Sequence, residues 1–418
     1  MQANTETKLL GADGLRAIAC LLVIFHHFSQ KMNMYEQSQT VRDVNLFFLQ
    51  GYTGVSIFFI LSGFLLSYPF WKRYLSNQQF PDMRQYTLRR AARIVPGYYV
   101  AMIICLIAVI VIKLPVEYLW QRFAAGMTFT AGFSYKTFFP SEINSPFWSI
   151  SFEVFSYCLM PVFMLFLFML TSKKRSFLKA IIYWVGVLVA ILLLNRLVHT
   201  YLTPDQVGRG WEFGSVGGAK YWMPNYNPLG FFTHFIFGVF AAGFTAYLSK
   251  IPNKLKKINR FFIIDVVALL MLISAGYLIY IMRTSRDFSF SFQNQPYYFP
   301  TFQFFVAFAL ALLPFTRIVN RVLDNAFFKF TAKLSFGLYL WHYTIMFFVT
   351  QYIAKDYVYG GISDISKLLI INVSVLILAY VIAAISYKFL EKPILDWSHG
   401  IKFENKYQNK DFNKVIEK

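Results

Sequence analysis

Two basic residues in the first apolar stretch are of types that move protons or stabilise developing charge. Arg16 and His27 lie eleven residues apart. At about 100° per residue, eleven helical steps return to within about 20° of the starting direction, so the two side chains share a face, roughly 16 Å apart along the axis. His26 points about 80° away from that face. We therefore predict that His27, and not His26, works with Arg16, as a general base or as a transient carrier of a transferred group. The alternative is an Asp13–Arg16 ion pair beside two interfacial histidines.

A second polar group opens the fourth apolar stretch. Ser149 and Glu153 are four residues apart and face the same side of a helix. If successive helices alternate in direction, His27, Glu153 and His234 lie at similar depths near one membrane surface. A histidine that acts as a base needs a partner to fix its tautomer, and we predict Glu153 for that role. The alternatives are helix-packing hydrogen bonds for Glu153 and for His234.

Arginines cluster where the third apolar stretch begins, at positions 84, 89, 90 and 93. Arg90 and Arg93 are three residues apart and share a helical face. Planar guanidinium groups match the oxygens of phosphate groups. We predict that Arg90 and Arg93, together with Arg84 or Arg89, bind the phosphates of a substrate. Charge that orients the protein, or binding of anionic lipid, is the alternative.

Aromatic and amide side chains are concentrated in the segments 114–146 and 200–228, a composition that suits a carbohydrate. The alternative is an interfacial aromatic belt. The residues predicted to contact a substrate are Trp148, Ser149, Trp211, Trp222 and His234. Charged or titratable groups inside a membrane span are costly and therefore functional candidates, but the sequence assigns no role to Asp265 or His342.

These residues must be positioned by membrane helices. Hydrophobic residues make up 57% of the 418-residue chain and charged residues only 14%, against about 25% charged in soluble domains. About 20 apolar residues cross a bilayer as a helix. We predict an all-α, polytopic membrane bundle of ten spans, at residues 12–30, 54–71, 94–113, 147–170, 178–199, 229–248, 261–281, 298–316, 334–353 and 367–390.

The basic residues predict the orientation of these spans. The net charge of +20 would indicate a nucleic-acid partner in a soluble protein, but here the positive-inside rule explains it and no nucleic acid is expected. With the N-terminus inside, 27 of the 40 Lys and Arg residues fall in inner segments and 12 in outer ones. Ten spans with both termini cytoplasmic are therefore predicted: a membrane domain over residues 1–393 and a polar cytoplasmic tail over 394–418.

The cysteines give no reason to expect a metal or a disulfide framework. Cys20, Cys105 and Cys158 each lie in an apolar stretch, with no paired or histidine-flanked spacing. The first apolar stretch contains charged residues and no small-residue cleavage site, so we expect a retained helix and not a signal peptide.

Five short motifs, in order along the chain, resemble those of the acyltransferase-3 family of membrane O-acyltransferases. Arg16 and His27 match Arg-x10-His, and the other matches are Arg-x2-Arg-Ile-x-Pro at 90–96, Trp-Ser-x-Ser-x-Glu at 148–153, Ser-x-x-Leu-Tyr-Leu-Trp-His at 335–342 and Glu-Lys-Pro at 391–393. The chain departs from the pattern at Val154, where the family usually has a second glutamate. The extracytoplasmic hydrolase-like domain of some members is also not found in this sequence.

The resemblance implies transfer of an acyl group, usually acetyl from acetyl-CoA, to a hydroxyl of an acceptor, usually a bacterial surface carbohydrate, in the cell membrane. Arg90 and Arg93 would then hold the acyl-CoA phosphates on the cytoplasmic side, with the pantetheine arm extending past Arg16 towards His27. The membrane domain would complete the transfer itself or pass the acyl group to a separate extracytoplasmic partner. Two other classes compete: a proton-coupled transporter or exporter, and a non-catalytic scaffold, which would not need Arg16 and His27 on one face.

Overall fold

The computed structural model describes residues 9–172, 174–202, 208–284, 295–354 and 361–401. This part of the chain is helical and contains no strand, and an isolated bridge joins Met32 and Ile362. The α-helices are α1 (Ala12–Ser29), α2 (Gln39–Leu49), α3 (Thr53–Leu75), α4 (Met83–Val111), α5 (Leu119–Met127), α6 (Trp148–Leu170), α7 (Phe177–Leu202), α8 (Gly214–Trp222), α9 (Pro228–Leu248), α10 (Pro252–Ile258), α11 (Ile263–Met282), α12 (Thr301–Leu312), α13 (Val319–Leu323), α14 (Ala326–Tyr352), α15 (Ile365–Ser386) and α16 (Lys392–Gly400). Short 3-10 turns lie at Gln50–Tyr52, Ala131–Phe133, Ser145–Phe147, Trp211–Phe213, Asn259–Phe261 and Leu313–Phe315, and a π-turn at Tyr387–Glu391 joins α15 to α16.

The predicted all-α membrane architecture is confirmed, and each of the ten predicted spans coincides with a helix. Within the described residues, eight helices are long and apolar enough to cross a membrane. The other two predicted spans differ in length or polarity. The helix over Thr301–Phe315 is apolar but short. Helix α14 has 27 residues but carries polar groups such as Ser335 and His342 through its centre. That both termini are cytoplasmic stays a prediction, and residues 402–418 of the predicted tail lie outside the described residues.

Helices α1 and α14 run side by side in the same direction. The thiol of Cys20 lies 3.6 Å from the carbonyl oxygen of Ser335. About two turns further along each helix, the rings of His27 and His342 are in hydrogen-bond contact. Both pairs are separated by 315 residues in sequence, so the register between the helices is constant. The face of α1 that carries Arg16 and His27 is therefore adjacent to α14.

Helices α3 and α9 cross closely at the centre of the protein. A Cβ atom added to Gly63 would lie 2.1 Å from the carbonyl oxygen of Phe235, and one added to Gly238 would lie 1.9 Å from that of Ile60. Only glycine permits such an approach of two backbones. The α9 span is 83% buried, against 22% for the span over Ile365–Gly400. Helix α9 is therefore central, whereas α15 and α16 lie at the periphery.

The carboxylate of Asp265, to which the sequence assigned no role, holds a turn together. It accepts hydrogen bonds from the backbone N–H groups of Arg317, Ile318 and Val319, at 2.9, 2.7 and 3.2 Å. The side-chain amide of Asn259 donates to it at 3.0 Å. These donors come from the start of α13 and the turn before α11, which would otherwise be left unsatisfied. Asp265 is thus a structural cap that joins three segments.

An ion pair fixes the connection between α5 and α6. Arg122 is only 2% exposed, and its guanidinium lies 2.7 Å from Glu142 and donates to the Phe139 carbonyl at 2.6 Å. Glu142 also accepts a hydrogen bond from Ser215 of α8 at 2.5 Å. The segment before α6 and the segment before α9 are therefore tied together, and both contribute aromatic residues to the site described next.

Candidate active site: two cavities that share a wall

The first cavity, which we call the inner cavity, lies among α1, α3, α4, α6 and α14 and encloses about 110 Å³. Arg16 comes from the first turns of α1, and Arg90 and Arg93 come from the first half of α4. All three arginines and Glu153 line the cavity. Three guanidinium groups face one carboxylate, so the cavity carries a surplus of positive charge and favours an anionic ligand. Asp13 lies 3.8 Å from Arg16 and forms its ion pair.

Glu153 is held in the inner cavity by two hydroxyl groups. Ser62 of α3 donates to its carboxylate at 3.0 Å, and Tyr157, one turn later on α6, donates to the same oxygen. His27 lines the second cavity, described next, and its ring is in hydrogen-bond contact with His342. The expected hydrogen bond between Glu153 and His27 is therefore not formed. Ser149 and Glu153 do share a face, as predicted, but that face belongs to the cavity with the arginines.

The second cavity, the outer cavity, lies towards the other end of α1 and encloses about 610 Å³. His26 and His27 line it, together with all three tryptophans predicted to contact a substrate: Trp148, Trp211 and Trp222. The Trp211 and Trp222 rings are 5.4 Å apart, and those of Trp148 and Trp222 are 6.2 Å apart. Segments that are far apart in sequence thus meet in one aromatic cluster.

Tyrosine hydroxyls add polar groups to this aromatic surface. Tyr226 stacks on Trp222 with ring centroids 4.9 Å apart, and Tyr297 approaches from the segment before α12. Burial raises the pKa of Tyr226 above its ordinary value, so the phenol stays neutral at physiological pH. Flat apolar faces with neutral polar edges are suited to a ligand that has both kinds of surface.

His27 is paired with His342. The Nδ1 atom of His27 lies 3.0 Å from the Nε2 atom of His342, and the other ring nitrogen of His342 lies 2.8 Å from the carbonyl oxygen of Leu338. The ring of Tyr343 packs edge-on against His27 at 4.9 Å. Sequence reasoning missed His342 as a partner. Its signal was its place in the motif at 335–342, but nothing in the sequence indicated that α14 lies beside α1.

The two adjacent histidines differ in what their rings contact. The Nδ1 atom of His26 lies 2.6 Å from the Leu49 carbonyl oxygen, which can only accept, so Nδ1 carries the proton. The remaining lone pair on Nε2 is 3.1 Å from the side-chain amide nitrogen of Gln30 and accepts from it. Both nitrogens of His26 are therefore engaged in structural hydrogen bonds, which fits the prediction that His27 is the chemically active member of the pair.

A thin wall separates the two cavities. Val55 and Tyr339 line both of them. The Tyr339 hydroxyl lies 2.6 Å from the Ser149 hydroxyl and donates to the Pro146 carbonyl at 2.7 Å. Ser149, predicted to contact substrate, is therefore located at this wall, on the side of the inner cavity. Its neighbour Trp148 faces the outer cavity.

Three predicted site residues lie outside both cavity linings. Arg84 and Arg89 are exposed near the start of α4. His234 is fully buried, with its Nδ1 atom 2.8 Å from the Ser56 hydroxyl and 3.1 Å from the Gln303 amide nitrogen. A histidine so enclosed packs helices α3, α9 and α12 together, so the expectation that His234 contacts a substrate does not fit its position. Among the described residues, no cluster of three or more His, Cys, Asp or Glu side chains is arranged to hold a metal.

Comparison with known proteins accounts for nearly the whole chain. Residues 9–385 match the family model described as "Acyltransferase domain". "Putative O-acetyltransferase SACOL0978" of Staphylococcus aureus (strain COL) is 25% identical over 409 residues, which cover 94% of this chain and 58% of that protein. "O-acetyltransferase OatA" of Staphylococcus aureus (strain NCTC 8325 / PS 47) is 24% identical over 394 residues, which cover 92% of this chain and 57% of that protein. No solved structure is significantly similar. The chain thus spans a little over half the length of these relatives, and its family match shows that it belongs to the acyltransferase-3 family.

Proposed function

We propose that this protein transfers an acyl group, in the first instance acetyl, from acyl-CoA to a hydroxyl of a carbohydrate or similar acceptor, as a multi-pass protein of the cell membrane. One observation carries the proposal. A cavity lined by three arginines and a cavity lined by His27 and aromatic residues adjoin along α1 and share the wall formed by Val55 and Tyr339. A polyanionic donor suits the first cavity and a neutral hydroxyl acceptor suits the second.

The inner cavity would bind the donor. Arg90 and Arg93 can each form two parallel hydrogen bonds to a phosphate group of CoA. The Arg93 guanidinium is also placed against the Phe336 ring, 5.8 Å from its centroid, which limits its freedom. Arg16 lies further along the path towards His27, where it would stabilise the charge that develops on the thioester carbonyl oxygen. The arginines at 84 and 89 would contribute only general attraction, because they are exposed.

The outer cavity would bind the acceptor and complete the reaction. His27 removes the proton of the acceptor hydroxyl as its oxygen attacks the thioester carbonyl carbon. The carbon–sulfur bond then breaks, the acyl group becomes an ester of the acceptor, and the proton passes from His27 to the departing thiolate of CoA. The thioester must reach the wall at Tyr339 for this attack, since His27 lies beyond it.

Acyl transfer predicts that release of free CoA depends on the acceptor. The purified protein in lipid nanodiscs is mixed with radiolabelled acetyl-CoA and with surface glycans of defined structure, and His27→Ala serves as the inactive control. Label in the glycan together with CoA thiol release supports the proposal. Uptake of label or glycan into sealed vesicles, without any thiol release, would favour the transporter. Thiol release that no glycan stimulates would mean that the acyl group passes to water or to the enzyme itself, as expected if the natural acceptor is a separate extracytoplasmic protein that the assay lacks.

The donor and acceptor are proposed to approach from opposite sides of the membrane. Arg90 and Arg93 lie in the first half of α4, at the end of the basic segment 72–93, which the positive-inside rule predicts to be cytoplasmic. A reporter that is active only outside the cytoplasm, fused to the C-terminus, should be inactive. An active reporter would mean an odd number of spans and would overturn the predicted topology with both termini cytoplasmic.

A further inference from the structure

We infer that His342 is a positioning residue: it holds His27 in the tautomer that carries the proton on Nδ1, so that the lone pair on Nε2 is the base. The inference rests on the proposed function, in which His27 is the base, and it identifies the group that prepares it. The observation is the hydrogen-bonded chain from the Leu338 carbonyl through His342 to His27.

The donor and acceptor of each hydrogen bond in this series can be assigned because the Leu338 carbonyl oxygen can only accept. The Leu338 carbonyl oxygen lies 2.8 Å from Nδ1 of His342, so this nitrogen carries a hydrogen. In neutral His342, the other nitrogen, Nε2, then bears a lone pair and must accept. Its neighbour at 3.0 Å is Nδ1 of His27, which therefore donates. In neutral His27, the only lone pair left in the ring plane is on Nε2.

The surroundings of His342 keep this arrangement in place. The side chain is fully buried, at 0% exposed. The Tyr339 and Tyr343 rings of α14 lie near it, with centroids 6.1 and 6.3 Å from the imidazole. The acceptor for its Nδ1 hydrogen is a helix carbonyl of the same helix, one turn earlier, which cannot move independently. The position of His342 is thus fixed by α14, and the constant register of α1 and α14 aligns its ring with that of His27.

The same contact has a role when His27 is protonated. Once Nε2 has taken a proton from the acceptor hydroxyl, the imidazolium donates from Nδ1 to the lone pair of His342, and a hydrogen bond from a charged donor is stronger than one between neutral groups. His342 would therefore stabilise the charged intermediate without giving up or receiving a proton itself. It is not among the residues that line the outer cavity, so its action on the substrate passes through His27.

This role differs from the one that a carboxylate plays in a serine-protease triad. There a buried aspartate accepts the Nδ1 hydrogen of the histidine. Here the acceptor is a second imidazole, and Glu153, the carboxylate that the sequence indicated, is bonded to Ser62 and Tyr157 in the inner cavity. The Nδ1 hydrogen of His27 is thus accepted by a neutral imidazole, and burying a neutral imidazole costs less free energy than burying an unpaired carboxylate.

Nitrogen-15 NMR of histidine-labelled protein in nanodiscs tests the inference without relying on turnover. The His27 resonances are assigned by their loss in His27→Asn. In the wild type, His27 should show a hydrogen-bearing Nδ1 and a bare Nε2. In His342→Phe, which removes the acceptor but fills the space, the spectrum should show a mixture of tautomers. An unchanged His27 spectrum in His342→Phe would overturn the inference, even if acyl transfer is confirmed.

Kinetics provides the second measurement. His342→Phe should lower kcat at least tenfold, up to the ~10⁴-fold seen when a triad loses its tautomer-fixing partner, with the donor KM changed less than about twofold. His342→Gln should recover at least tenfold of that loss, because its side-chain carbonyl can accept from Nδ1 of His27. Trp341→Phe, at the adjacent buried position, is the control for packing and should stay near wild type. Equal losses in the Gln and Phe variants, with both folded, would mean that His342 only fills space.

Discussion

The inner and outer cavities are built by some of the same helices but differ in their side chains. Among the described residues, the inner lining contains three arginines and a glutamate, whereas the outer lining contains no Lys, Arg, Asp or Glu. Ser149 and Trp148, adjacent in sequence, face different cavities. Successive positions on one helix therefore contribute to two cavities of opposite character, and the charged side chains line only one of them.

The two cavities also differ in the groups that orient their titratable side chains, Glu153 in the inner cavity and His27 in the outer one. In the inner cavity, Glu153 accepts from two hydroxyls on neighbouring helices. In the outer cavity, His27 is oriented by another imidazole and by the edge-on contact of Tyr343. The comparison predicts that substitutions in the inner cavity change donor binding, whereas substitutions in the outer cavity change acceptor binding or the chemical step.

The largest effect is expected at His27. His27→Ala removes the proposed base and should lower kcat by about 10²- to 10⁴-fold, the usual contribution of general base catalysis. His26→Ala, its control on the same helix turn, should stay within a few-fold of wild type because both nitrogens of His26 serve structural bonds. The measurement is acyl transfer in membranes with equal protein levels. An inactive His26→Ala beside an active His27→Ala would reverse the assignment.

The next largest effect concerns the arginines of the inner cavity. Arg93→Ala or Arg90→Ala should each raise the donor KM by about 10- to 100-fold, since a hydrogen bond to a charged group contributes about 1.5–3 kcal/mol. The acceptor KM should not change. Lys should restore little, because an ammonium lacks the planar fork. Arg84→Ala, an exposed position on the same helix, is the matched control. Equal effects at positions 84 and 93 would mean that charge alone matters.

A smaller effect is expected from the aromatic surface of the outer cavity. Trp222→Ala should raise the acceptor KM by about two- to tenfold, as for the loss of one aromatic contact of 0.5–1.5 kcal/mol. The donor KM should stay constant. Trp120→Ala, at a position that is 65% exposed on α5, tests whether removing any tryptophan has this effect. A change in the donor KM with Trp222→Ala would mean that the two cavities do not separate the substrates.

The smallest effect is expected in the nitrogen-15 spectrum of Glu153→Gln. The carboxylate is bonded to Ser62 and Tyr157 and not to His27, so the His27 resonances should remain at their wild-type positions. Any loss of activity should then be seen as a change in donor KM. A mixture of His27 tautomers in this variant, comparable to that expected for His342→Phe, would return Glu153 to the role that the sequence first indicated.

Much of this arrangement could be predicted because it depends on periodicity within single helices. Apolar stretches located the helices, and the eleven-residue interval placed Arg16 and His27 on one face. The three-residue interval likewise placed Arg90 and Arg93 on one face, and both line the inner cavity, whereas Arg84 and Arg89, one of which was expected to join them, are exposed. Such inferences require only the geometry of one helix.

What could not be predicted depends on which helices are neighbours. His342 is 315 residues from His27, and no local pattern indicates that α14 packs in parallel against α1. Estimated depth placed His234 and Glu153 beside His27, but depth alone does not decide which way a side chain faces. The close crossing of α3 and α9 encloses His234 between Ser56 and Gln303 instead.

The wall formed by Val55 and Tyr339 has an electrical consequence. If water fills both cavities, each is at the potential of the solution it opens to, and the membrane voltage falls mainly across this thin layer. A unit charge crossing 100 mV gains or loses about 2.3 kcal/mol. The CoA phosphates, held by Arg90 and Arg93, would stay on one side of that drop, while the acyl group that passes Tyr339 is uncharged. The acyl group itself would thus cross a strong electric field at no electrical cost, whereas the proton that His27 passes to the CoA thiolate would move through that field, so each transfer would carry one charge across the layer.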